Sequence, residues 1–250
     1  YNPAWTGHQA GETLQQALHC LQRLNNVPAS DTLLEKTIAA HAGDWQLLTD
    51  AAHAYRRIIH QGYIVAGAFQ RGHHRGGGRG VSSVQRDRTR ALQLFDEALK
   101  LARQKEASDS ELGTLCLNFA EALKGGRGHQ ESWRLQVLTD LSELPDYDDG
   151  FYHGYGRDAR RAPVDQDGNP VFHAKPESYE TARTDGERWR ALLHEAARHN
   201  PSLSDGILTQ MADFAHAQFG VQTMADYGWF FQRTNDADTR NAAFALDSLT

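Results

Sequence analysis

Apolar residues recur every three or four positions along most of this chain, and this period restricts the chain to folds built mainly from α-helices. The clearest stripe contains Leu14, Leu18 and Leu21, and it ends ahead of Pro28. Proline cannot continue a helix, so the stripe predicts a helix over residues 12–24. The same pattern, with its glycine and proline stops, predicts helices over residues 30–42, 45–61, 86–101, 108–123, 130–144, 177–199, 203–219 and 224–231.

Two segments interrupt the helical pattern. Residues 62–83 contain the run RGHHRGGGRG, which is too rich in glycine for a regular element, so a loop is expected there. Residues 145–175 are irregular, and Asp167-Gly168-Asn169 predicts the turn of a small hairpin. We therefore predict an all-α fold: an irregular array of antiparallel helix pairs, partly tetratricopeptide-like, with two long loops and a small β-hairpin.

The predicted helices begin at side chains that can accept hydrogen bonds from free backbone N–H groups. Ser30 or Asp31 is the expected cap of the second helix, and Asp44 of the third. We predict a single helical domain over residues 1–250. It divides into a helical array with the glycine-rich loop (1–144), an irregular loop and hairpin (145–175), and C-terminal helices (176–250).

Composition excludes several classes of protein. The 250 residues are 40% hydrophobic and 23% charged with a net charge of -6, which argues against a disordered chain and against general nucleic-acid binding. No apolar run is long enough to span a membrane, and two cysteines cannot form a disulfide framework. Because the chain starts at Tyr1 and its last helical pattern stops midway, we expect it to be part of a longer protein.

The glycine-rich loop is the first candidate site. It carries Arg71, His73, His74, Arg75 and Arg79, and converging backbone N–H groups beside arginines can hold an anion. The spacing does not match a P-loop, which needs Lys and Ser or Thr after its last glycine. The favoured alternative is a loop that packs against its own helices or a neighbouring domain.

Three patterns of metal-ligating residues also occur: His73 and His74 with His41, His53 or His60; His194, Glu195 and His199; and Asp165, Asp167 and Asn169. The first set has no carboxylate or cysteine at ligand spacing, and the second departs from HExxH by one residue. The third lacks the bidentate Glu of an EF-hand, and turn geometry explains it equally well. We predict no metal, no cofactor and no catalytic residue.

The two cysteines are candidate nucleophiles in principle. Cys20 and Cys116 each fall on the apolar stripe of a predicted helix, where a buried and unreactive thiol is expected. No GxSxG segment is present for a serine nucleophile.

Five segments occur in an order that resembles a known family. They are GAFQRGHHRGGGRGVSSVQRDRTRALQLF, LTDLSELPDY, RAPVDQDGNPVFH, DGERWR and ADFAHAQFGVQTM. Together they resemble the helical N-terminal region of large bacterial proteins of the alpha-2-macroglobulin family, over about residues 45–227. The resemblance implies a secreted or cell-envelope (periplasmic) protease inhibitor in which a protease cleaves a bait segment and β-sandwich domains rearrange around it. Cys20 (HCLQ) and Cys116 (LCLN) do not match the family's CGEQ thioester segment, so no inhibitory residue is carried over.

The resemblance implies a non-enzymatic scaffold and interaction module. Its expected partners are other domains of the same long chain and, through the whole protein, a target protease, with no nucleic acid and no membrane span. Tyr147, Tyr152 and Tyr155 are expected to pack between domains. The helix pairs alone leave open a free-standing tetratricopeptide-like adaptor that binds a peptide, and the arginines leave open an anion or nucleotide binder.

Overall fold

A computed structural model describes residues 6–128, 131–150 and 161–220. This part of the chain is mostly helical, as the apolar period predicts. Its α-helices are α1 (Gly7–Arg23), α2 (Ser30–Ala40), α3 (Trp45–Arg57), α4 (Val84–Gln104), α5 (Asp109–Lys124), α6 (Asp185–His199) and α7 (Ser204–Phe219). Its strands are β1 (Gln61–Val65), β2 (Ala68–Arg71), β3 (Arg79–Ser82) and β4 (Asp148–Asp149). Within these ranges, no helix combines the length and apolar character that crossing a bilayer requires.

Local side chains start several helices where the sequence predicts. Asp44 caps α3 by accepting hydrogen bonds from the backbone N–H groups of Gln46 and Leu47 at 3.0 and 3.2 Å. The prediction that Ser30 or Asp31 caps the second helix is wrong. Helix α2 follows directly from a 3-10 turn over Val27–Ala29, and its N-cap, Ala29, makes no side-chain hydrogen bond. The helix therefore begins as a continuation of this turn, without a side-chain cap.

One apolar core joins all the helices. It includes residues from α1 to α7, and its largest fully buried side chains include Trp189, Phe95 and Phe119. Phe95 and Phe119 stack with ring centroids 5.5 Å apart, which joins α4 to α5. The extent of a single domain to residue 250 stays a prediction, because residues 221–250 lie outside the described ranges.

The all-α prediction is wrong at residues 62–83, which form most of an antiparallel sheet in the order β2-β1-β3-β4. The turn between β1 and β2 has positive φ at Ala66 (49°) and Gly67 (82°), as tight hairpins require. Gly62 lies in β1, and a Cβ there would be 2.4 Å from the carbonyl oxygen of Gln70 and 2.5 Å from the ring of Phe69. Only glycine fits this position, so Gly62 permits close strand pairing. Gly72, Gly76, Gly77 and Gly78, which indicated a loop, lie in the connection between β2 and β3.

The helix predicted over residues 130–144 is also wrong. Only a 3-10 turn over Ser132–Gln136 forms, after Glu131 in a left-handed conformation with φ 53°. Trp133 and Leu138, which a helix here would place on its apolar side with Leu135, are 39% and 42% exposed, whereas Leu135 is buried. The helix expected from residue 177 begins only at Asp185, where Thr184 caps it.

The predicted hairpin in the second irregular region is present in its simplest form. Val164 and Pro170 form one antiparallel bridge around a turn that contains Gly168 with φ 84°. The Asp165 carboxylate accepts hydrogen bonds from the backbone N–H groups of Asp167 and Asn169 at 2.9 and 2.8 Å. These oxygens therefore hold the turn together.

Candidate functional site

The sheet separates the five residues expected to form an interaction or anion-binding loop. Arg71 ends β2 and is 2% exposed, so it does not lie on the loop surface. Arg79 begins β3 and forms an exposed ion pair with Asp149. The remaining three, His73, His74 and Arg75, lie in the connection between β2 and β3. Anion binding by this exposed connection stays a prediction.

Arg71 instead ties the sheet to two helices. Its guanidinium donates to the Asp31 carboxylate of α2 at 2.7 Å and to the Asp87 carboxylate of α4 at 2.7 and 2.9 Å. The same group donates to the Ile59 carbonyl oxygen at 2.6 Å and to the Ser83 hydroxyl at 3.0 Å. One side chain thus links α2, α4, the sheet and the end of α3.

The Arg71 network pairs one guanidinium with two carboxylates. Burial opposes the charge of Arg71, but hydrogen bonds with Asp87 and Asp31 outweigh it and raise the pKa of Arg71. Burial likewise opposes ionisation of Asp87, but hydrogen bonds from His60 and Arg71 lower its pKa. Arg71 and Asp87 are therefore charged partners in one buried structural network.

His60, Asp87 and Ser83 lie together, but they are not arranged for nucleophilic catalysis. Such a serine needs a histidine base at its hydroxyl. Here the ring nitrogen Nδ1 of His60 lies 2.8 Å from Asp87, while the Ser83 hydroxyl donates to Asp87 at 2.6 Å and lies 3.1 Å from the His60 backbone oxygen. The Asp87 carboxylate therefore contacts the Ser83 hydroxyl at the position that a histidine base would need.

Tyr147, one of the three tyrosines expected to pack between domains, packs on its own sheet. Its ring stacks on Phe69 with centroids 4.4 Å apart, and the Arg86 guanidinium lies 5.0 Å from its centroid. Tyr152 and Tyr155 lie outside the described residues. A role for these tyrosines in contacts with other domains stays a prediction.

The metal-ligating patterns do not come together in the described ranges. There, no group of three or more His, Cys, Asp or Glu side chains is placed to hold a metal ion. His199, from the HExxH-like segment, pairs with Asp109 at 2.6 Å and so joins α6 to the start of α5.

The two cysteines differ in exposure, which the apolar stripes of the predicted helices did not indicate. Cys116 is buried in α5, and burial raises the pKa of its thiol to about 12. Cys20 is exposed, so the expectation of a buried thiol is wrong for this residue. It lies near the end of α1, where the described residues leave it exposed.

An apolar groove runs between α1 and α3 and has a volume of about 360 Å³. We call it the α1–α3 groove, and it is lined by Gln15, Leu18, His19, Gln22, Val27, Ser30, Ala54, Arg57, Ile58 and Ile59. Ile59 is 39% exposed, and the neighbouring Leu24 is 76% exposed. Clustered exposed apolar side chains of this kind mark interaction surfaces.

Sequence reasoning missed the buried carboxylates. Asp87 and Asp185 are 3% and 0% exposed, and each lies in the first turn of its helix. Each also falls on the apolar stripe of that helix, Asp87 with Ala91 and Asp185 with Trp189 four residues later. An acidic residue on the buried side of a helix start is the signal that identifies such sites, because a buried charge needs a partner.

Comparison of the chain with protein-family models, with curated proteins and with solved structures finds no match.

Proposed function

We propose that this chain is a non-enzymatic helical interaction module of a large bacterial alpha-2-macroglobulin-like protease inhibitor. The proposal rests on the ordered segments described above and on the α1–α3 groove. Its partner is another segment of the same long protein, and a target protease is engaged through the whole protein.

The α1–α3 groove is the observation that carries the proposal. Its floor is apolar, with Val27 buried and Leu18 and Ile58 half-buried. Apolar grooves between helices accept the apolar face of an amphipathic segment. Arg57 and His19 also line the groove. None of the described residues that line it is acidic. The expected occupant is therefore an amphipathic segment with an acidic residue beside its apolar stripe.

The complete gene product provides the test. A photo-crosslinking residue at Gln22, on the groove edge, should give crosslinks within the same polypeptide, and the same residue at Leu208, 63% exposed on α7, should not. Arg57→Glu should weaken the crosslink at Gln22, since it would repel the acidic partner. Arg75→Glu makes the same charge change on the exposed β2–β3 connection and should leave the crosslink unchanged.

A protease assay tests the role of the module. The complete protein should inhibit proteases, whereas the 250-residue chain alone should neither inhibit nor cleave them. Inhibition by the chain alone would contradict a scaffold role.

The alternative function is a tetratricopeptide-like adaptor for a separate peptide. The connection between α4 and α5 is short, and helices joined by such turns lie antiparallel, as in stacked helical repeats. Crosslinks from Gln22 to a separate protein, with none inside the polypeptide, would favour the adaptor and contradict the inhibitor proposal.

A further inference from the structure

A second buried arginine network surrounds Asp185 at the start of α6. This carboxylate is fully buried, and three guanidinium groups lie close to its oxygens. The distances are 2.9 Å to Arg88, 3.2 Å to Arg127 and 3.5 Å to Arg188. One negative charge therefore faces three positive charges.

Within the described residues, no second carboxylate forms an ion pair with Arg88 or Arg127. The remaining hydrogen bonds to Asp185 come from the neutral Thr139, from its backbone N–H at 2.9 Å and its hydroxyl at 2.5 Å. A fourth guanidinium, Arg134, has its own partner in Glu131 at 3.3 Å. The cluster thus keeps a surplus of positive charge, and Arg88 and Arg127 are 15% and 11% exposed.

The Arg71 network has a different composition. There, one guanidinium lies between two carboxylates, which raise the pKa of Arg71 despite burial. Around Asp185, burial lowers the pKa of Arg88, and burial together with the charge of Arg88 lowers the pKa of Arg127 to about 10. Burial is the largest cause of both shifts, and the charges of neighbouring arginines add to it.

A cavity of about 320 Å³ opens beside these arginines. Arg88 and Arg127 line it with the neutral side chains of Gln85, Thr89 and Thr139, of which Gln85 and Thr89 can donate hydrogen bonds into it. The Nε atom of Arg88 is buried and has no hydrogen-bond partner within the described residues. Guanidinium groups and hydroxyls are the groups with which proteins hold phosphate-type oxyanions.

Two carboxylates, those of Asp140 and Glu143, also line the cavity. Both residues are exposed, and an Asp140 oxygen accepts hydrogen bonds from the backbone N–H and hydroxyl of Ser142 at 2.8 and 2.7 Å. Solvent screens such exposed charges, so they compensate the buried arginines only weakly.

We propose that this cavity is a binding site for a small phosphate-type oxyanion, held by Arg88 and Arg127 with the hydroxyl of Thr89. The bound anion would supply the missing negative charge between α4, the Gly125–Gly128 turn and the start of α6. It would therefore stabilise the folded chain as any ligand specific for the native state does.

Calorimetric titration of the 250-residue chain with inorganic phosphate tests the proposal. Phosphate at about 10 mM should raise the Tm by several degrees relative to chloride at the same ionic strength, since a ligand specific for the native state stabilises it by RT ln(1 + [L]/Kd). Sulfate should bind as well. Binding of acetate without binding of phosphate would overturn the assignment of the ligand class, and equal Tm shifts in phosphate and chloride would overturn the site.

Arg127→Gln locates the site, with Arg75→Gln as the matched control on the exposed β2–β3 connection. Arg127 makes only long contacts, 3.2 Å to Asp185 and 3.3 Å to Gln85, so its loss should leave the chain folded. We expect Arg127→Gln to weaken phosphate binding at least about tenfold, as loss of a charged hydrogen bond does. Its Tm without phosphate should match or exceed that of the unmodified chain, because one repelling charge is gone. Loss of binding in Arg75→Gln, with Arg127→Gln unaffected, would place the anion in the glycine-rich connection and overturn the proposal.

Discussion

Arg71→Met should be among the most destabilising single substitutions in this chain. It removes the guanidinium and leaves the Asp87 carboxylate, 4% exposed, without its strongest partner. Removing one partner of a buried ion pair costs about 3–5 kcal/mol, because the other charge stays buried without compensation. Asp87 keeps its contacts with Ser83 and His60, so we expect the lower end, about 3 kcal/mol. That is a large part of the roughly 5–15 kcal/mol by which domains are stable.

Urea unfolding followed by circular dichroism at the helix band measures this loss. Arg79→Met is the matched control, because it removes the same charge from an exposed pair with Asp149 and should cost less than about 1 kcal/mol. Adding Asp87→Leu to Arg71→Met should recover part of the loss, since the uncompensated carboxylate is then gone. Equal losses for Arg71→Met and Arg79→Met would refute the claim that the buried network holds the sheet to the helices.

Three further predictions concern packing, pH and thiol chemistry. A Cβ at Gly113 in α5 would lie 3.1 Å from a backbone carbonyl oxygen of α6, so Gly113→Ala should lower stability by about 1 kcal/mol in urea unfolding. Gly206→Ala in α7, where nothing lies within 4 Å, should instead be neutral or stabilising. Burial and neighbouring arginine charges lower the pKa of His53 from 6.5 to about 4, so its contribution to stability is present above pH 6.5 and is lost as the pH falls from 6.5 to 4. His53→Gln should reduce that acid-induced loss by about 2 kcal/mol, and an unchanged pH profile would contradict the reasoning. Ellman's reagent should modify Cys20 in the folded chain and Cys116 only after unfolding, so Cys20→Ser should abolish the fast reaction.

The helices could be predicted because their signals are local. The apolar period and the capping residue lie within a few positions of each other, as in α3, which begins after Asp44 as expected. The sheet could not be predicted in this way. Gly62, Tyr63 and Ile64 of β1 pair with β2 on one side and with β3 on the other, and Gly62 contributes space for Phe69 rather than a side chain of its own. A glycine that serves close packing looks the same in sequence as a glycine that serves a loop.

The candidate sites, too, could be predicted only in part from the sequence. The sequence identified Arg71 as an arginine beside glycines, and it identified the apolar faces of α1 and α3 that border the groove. It did not indicate that Arg71 meets Asp31, forty residues away, or that Asp185 gathers three arginines.

The sequence by itself thus determined most of the helical segments and most of their apolar faces, because both depend on neighbours along the chain. Only the tertiary structure decided which charges are buried and with what partners. The energy of a buried charge depends on the groups that folding brings around it, and those groups come from distant parts of the sequence.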